Sequence, residues 1–205
     1  MVTDIINVSS DGSGREEALL ETEKLADYIS LGAKQRLRLR LLAEETLGMV
    51  AAISKDFSAR YRAESLETGK CIIHLEADTD MDYSKKKEFI SVSTSGKNEA
   101  SKGFMGKIRS LFENGLGHSS EELSGVPAYM EMGMTGPVDM QGANNIMYIW
   151  SLENYREGIR GSSDAGEDEL RAGDELEKSI VASLADDVKV SVSGNKVELT
   201  IEYTP

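Results

Sequence analysis

Glu45 is a carboxylate set among apolar residues at helical spacing. Leu39, Leu42, Met49, Val50 and Ile53 recur with the period of an amphipathic helix over about 33–54, and Glu45 falls with them. The residues one turn away, Leu41, Leu42, Gly48 and Met49, offer it no cation, whereas Glu44 has Arg40 one turn back. A carboxylate so placed is partly desolvated, turned toward a polar cavity, or lies at the rim of the stripe with its head in water. A second acidic group, Asp78, closes a later strand, a setting it shares with ordinary turn aspartates. A third candidate runs from Ser95 to Ile108 and holds Gly96, Lys97, Asn98, Gly103, Gly106 and Lys107. Glycines let backbone approach a ligand closely, a helix N-terminus offers free amides, and Lys97 and Lys107 supply charge, so the segment could cradle phosphate. The alternative is that Phe104, Met105 and Ile108 dock a helix on the core while the lysines face water.

The elements that must position these groups follow from periodicity. Thr3 to Val8 reads as a strand ended by the Ser-Ser-Asp-Gly-Ser-Gly turn, and Ser13 is placed to cap a helix running to about Ser30. The Glu45 helix comes next, its inner stripe expected to bury Leu39, Leu42, Met49 and Ile53. Two strands follow, about Ala59 to Leu66 and Cys71 to Asp78, the second alternating Cys71, Ile73 and Leu75 against Ile72, His74 and Glu76. A polar stretch leads to helical spacing over 99–114, and 115–145 yields no assignment. Ile146 to Leu152 reads as a buried strand, 157–175 as an acidic solvated loop, Leu176 to Leu184 as a short helix, and Val188 to Val192 with Val197 to Tyr203 as a hairpin.

Composition narrows the classes of function. A chain of 205 residues with 40% hydrophobic content can build a sizeable core, and its net charge of −13 argues against nucleic acid or an anionic membrane surface as partner. The lone Cys71 excludes an internal disulfide and points to a reducing compartment; with no leader and no bilayer-length apolar run, residence is expected to be cytoplasmic. His74 and His118 lie far apart and no zinc spacing occurs, so no metal site is expected from them. Neither a Gly-x-Ser-x-Gly elbow nor a P-loop is present, and Gly12-Ser-Gly14 lacks the third glycine of a dinucleotide fingerprint.

The order strand, helix, helix, strand, strand, variable region, helix, strand, strand predicts an α+β fold, a two-layer α/β sandwich with helices on one face of a mixed sheet. At this point the chain resembles the GHKL ATPases, and within them the anti-sigma-factor serine kinases. Leu41-Leu-Ala-Glu-Glu-Thr-Leu-Gly-Met-Val50 resembles their second helix with Glu45 in the Glu position, and Leu75-Glu-Ala-Asp-Thr-Asp80 resembles the end of their third strand with Asp78 in the Asp position. Ser179 to Val188 and the hairpin after it resemble the end of that fold.

The likeness implies one domain over 1–205 with a lid or insertion at about 81–170. It also implies ATP or ADP as ligand, Glu45 as general base, and Asp78 as acceptor for the adenine amino group. The 96–107 segment lies where the family has its lid. Three departures weigh against catalysis: Met49 replaces the metal-binding Asn, Asp80 replaces a Gly, and only Gly173 remains of the second glycine motif. A thioether is a poor magnesium ligand, which makes a magnesium site doubtful. The expectation is therefore a nucleotide-binding regulatory ATPase or serine kinase acting on a protein partner, or a catalytically degenerate member serving as an interaction module, with oligomeric state open.

Overall fold

A computed structural model describes residues 1–54, 56–79, 134–139, 146–161, 179–193 and 195–205. The strands are β1 (Ile6–Ser9), β2 (Phe57–Ser65), β3 (Cys71–Thr79), β4 (Met134–Asp139), β5 (Ile146–Ser151), β6 (Asp187–Ser193) and β7 (Lys196–Tyr203). The helices are α1 (Arg15–Tyr28), α2 (Ala33–Ile53), α3 (Leu152–Gly161) and α4 (Ile180–Leu184). The strands lie in one sheet in the order β1-β2-β3-β7-β6-β5-β4, and every neighbouring pair is antiparallel. The fold is thus α+β, and the expected mixed sheet is corrected to an antiparallel one. Tight turns dictate part of this: residues 66–70 join β2 to β3 and a two-residue turn joins β6 to β7, connections too short for a parallel crossover.

One face of the sheet is the core. Ala59, Tyr61 and Ala63 of β2, Ile73, Leu75 and Ala77 of β3, and Leu199 and Ile201 of β7 are buried, while the intervening side chains are exposed or half-buried. Helix α1 packs on β1 and β2, and α2 on β3, β7 and α4. The C-terminal hairpin is central, since β7 pairs with β3 along its length.

A buried hydrogen bond between Thr22 and Tyr61 ties α1 to the sheet. Thr22 Oγ1 donates to the Ala18 carbonyl at 2.8 Å, which leaves it to accept from the Tyr61 hydroxyl at 2.5 Å. The α1 N-cap is Gly14 and not Ser13; its φ is +76°, and a Cβ there would stand 1.9 Å from the Asn7 carbonyl oxygen. Only glycine allows both that conformation and that approach of α1 to β1.

Several boundaries differ from expectation. The acidic loop expected from 157 begins inside α3, which runs to Gly161, and β4 lies within a stretch that periodicity left unassigned. Pro137 falls at its irregular pairing, between Thr135 and Val138, where a missing N–H is tolerated. The predicted 99–114 helix lies outside the described residues.

Candidate functional site

Helix α2 carries the sequence's strongest candidate. It keeps helical spacing from Ala33 to Ile53 and buries Leu39, Leu42, Ala43, Thr46, Leu47, Met49 and Val50. Ile53 lies outside the residues whose side chains are described. Glu45 is exposed, which corrects the expectation that it sits within the apolar stripe. At 3.6 residues per turn it stands about 40° beyond Met49 and about 60° from Leu42, away from the centre of the buried sector. Its head reaches water, the rim alternative named above. Glu44 does not pair with Arg40: it faces Arg15 at 3.8 Å, and Arg40 bonds Glu23 of α1.

Met49, where the resemblance would place a metal-binding Asn, is 3% exposed and packed in the core. A thioether enclosed by apolar side chains cannot reach a hydrated divalent cation, so the residue present does not fit magnesium. Asp78 does not close β3, which continues to Thr79, and its own side chain is exposed. Strand alternation puts it on the face of Glu76 and His74, opposite the buried Ala77 and Thr79 against which the helices pack. Ser58 and Lys196 are its register partners. Among the described residues Glu45 and Asp78 therefore sit on opposite sides of the sheet. Gly96, Lys97, Asn98, Gly103, Gly106 and Lys107 lie outside the described residues.

The outer sheet face is instead a lattice of ion pairs. Glu202 of β7 accepts from Lys70 at 2.7 Å and from Lys189 at 2.5 Å, Arg60 pairs with Glu76, and His74 bonds Glu64 at 2.8 Å. The hydrogen bond from Lys189, then that from Lys70, holds the Glu202 carboxyl below its usual range. Burial pushes the Cys71 thiol up, which leaves it poorly suited as a nucleophile. Among the described residues no group of three or more His, Cys, Asp or Glu is placed to hold a metal ion, and no helix is long and apolar enough to cross a membrane.

Sequence reasoning missed a polar clamp at the far end of the sheet. Buried Asp187, opening β6, accepts from the backbone N–H of Glu153 at 2.9 Å and so caps α3. From α3, Arg156 reaches back to the carbonyls of Ala182 and Asp186 at the end of α4. Ser151 Oγ accepts from Asn154 N at 3.1 Å, and this local Ser-x-x-Asn cap was the one signal in the sequence.

A groove on the helix side was also not anticipated. It is open to solvent, has a volume of about 330 Å³ and is lined by Glu23 of α1 and by Ala33, Arg36, Leu37 and Arg40 of α2. Arg36 pairs with Asp27 and Arg40 with Glu23 across it, and Leu37 is 56% exposed. No family model, no curated protein and no solved structure matches this chain.

Proposed function

We propose that this chain is a regulatory protein-interaction module on a GHKL-like scaffold, a two-layer α/β sandwich of the histidine-kinase ATPase type whose phosphoryl-transfer positions have been given over to packing. The observation that carries this reading is the burial of Met49, at 3% exposure, where catalysis would need a metal ligand. Phosphoryl transfer depends on a cation to bridge phosphate oxygens and neutralise developing charge, and a core methionine supplies no such anchor. The placement of Asp78 on the far face supports the same reading, because it removes the adenine acceptor from the helix side. The exposed apolar side chains of the helix layer, Tyr28 and Leu37, give a module of this kind somewhere to bind.

Nucleotide binding is the second reading, and one feature favours it. Phe57, just after α2, pairs with Thr79, so β3 ends beside the C-terminal end of the helix that bears Glu45. An ATP or ADP site would then lie on the Glu45 flank at that end of the sheet, without Asp78. Calorimetry of the full chain with ATP and ADP, with and without magnesium, separates the two. The interaction module gives no magnesium-dependent binding and no turnover; magnesium-dependent binding with hydrolysis abolished in Glu45→Ala would replace it with the enzyme reading.

A further inference from the structure

We infer that the groove between α1 and the N-terminal half of α2 is a docking site for an acidic amphipathic helix of a partner protein. The inference rests on the interaction reading and names the chemistry of the partner. From Tyr28 to Ala43 the chain has no acidic residue, yet it carries Lys34, Arg36, Arg38 and Arg40, in a protein whose net charge is −13. The first turn of α2 holds no acid and its N-cap, Gly32, makes no side-chain cap, so Lys34 and Arg36 stand at the positive end of the helix dipole. Asp27 and Glu23 of α1 offset part of that positive charge, and carboxylates from a partner would offset the rest.

The groove adds shape to the charge. Ala33 and Leu37 provide an apolar floor, Arg36 and Arg40 its walls, and Lys34 is exposed beside it. Tyr28, 71% exposed, stands at the end of α1 just before the turn into α2. An incoming helix with leucine or phenylalanine at i, i+3 and i+4 would seat its apolar edge over Leu37 and range its carboxylates along the cations. The pairs Arg36–Asp27 and Arg40–Glu23 lie at the surface, where such pairs are weak, so the arginines can exchange or share their partners at little cost.

Other occupants fit less well. Nucleic acid phosphates would leave the apolar floor of Ala33 and Leu37 uncovered, which the apolar edge of an amphipathic helix would bury. A second copy docked by two-fold symmetry would set the arginine row against itself.

The test uses the full chain and a fluorescein-labelled synthetic peptide, leucines at helical spacing and glutamates elsewhere, followed by anisotropy and backbone NMR. Saturable binding with shifts confined to the α1 and α2 residues that line the groove is expected. Leu37→Asp and the double variant Lys34→Glu/Arg36→Glu should each weaken it about tenfold or more. The double variant should gain affinity for a matched peptide with lysines in place of glutamates, a result that a merely unfolded variant cannot give. Peptide binding that maps elsewhere, or that Leu37→Asp leaves unchanged, overturns the groove while leaving the interaction reading in place. Tighter binding of a single-stranded DNA oligonucleotide than of the peptide overturns it in favour of a nucleic-acid surface. Magnesium-dependent ATP turnover in the calorimetry overturns the interaction reading itself.

Discussion

The two halves of α2 differ in what their side chains are for. Residues 41–50 carry the resemblance to a catalytic helix, yet Leu42, Thr46, Leu47, Met49 and Val50 are buried against the sheet and Glu45 is left facing water. Residues 33–40 carry no such likeness, but they present Lys34, Arg36 and Leu37 to solvent beside a groove. A resemblance in letters can therefore fall where packing requires apolar residues, while the exposed charged side chains lie one or two turns away. What separates the halves is rotation about the axis: the buried sector widens toward the C-terminus, where α2 also packs on α4.

The sharpest way to break this contrast is to truncate Met49. Met49→Ala should lower unfolding free energy in urea by about 2–5 kcal/mol, because a buried thioether leaves a cavity. A loss no larger than that of an exposed residue would return Met49 to the surface and contradict its place in the core. Next in size is Thr22→Val on α1, which leaves the Tyr61 hydroxyl buried without its acceptor. A loss of about 1–3 kcal/mol is expected there, read from the same urea curves.

On the opposite face of the sheet, Glu202 gives a pH-dependent effect of smaller size. Its carboxyl is held ionised below the ordinary value of 4.5, so the folded state binds fewer protons than the unfolded one there. Its contribution is fully present above that value and disappears as pH falls through the lowered folded value. Wild-type protein should lose stability more steeply below pH 4.5 than Glu202→Gln, and parallel acid curves would remove the lysine clamp from the account. The smallest effects belong to the exposed residues of α2: Glu45→Ala and Leu37→Ser should each shift stability by within about 0.5 kcal/mol. A larger loss at Glu45 would mean that its carboxylate is partnered and the two halves are less distinct than described.

Much of the fold was legible because its elements are long and regularly patterned. Periodicity located α2 from Ala33 and the alternation of Cys71, Ile73 and Leu75, and it read the C-terminal hairpin nearly to the residue. The placement of Glu45 was legible in part. Listing its neighbours one turn away identified an absent cation, but only the whole arc of Ala43, Thr46, Leu47 and Val50 fixes the centre of the stripe, and that centre lies away from Glu45. Asp78 was misplaced by ending β3 one residue early; continuing the same alternation to Thr79 puts it outside. Sheet direction was not legible, since strand order depends on which edges meet after a long connection. The Arg156 and Asp187 clamp was hidden for the same reason, as its partners lie some thirty residues apart.

Replacement of Met49 by asparagine, the residue that the family likeness expects, tests the account most directly. The variant should be measured for urea stability and for ATP binding with and without magnesium. A core position predicts a loss of about 3 kcal/mol from an amide buried without partners, and no gain of magnesium-dependent binding. An asparagine variant as stable as the wild type that acquires magnesium-dependent ATP binding would contradict it.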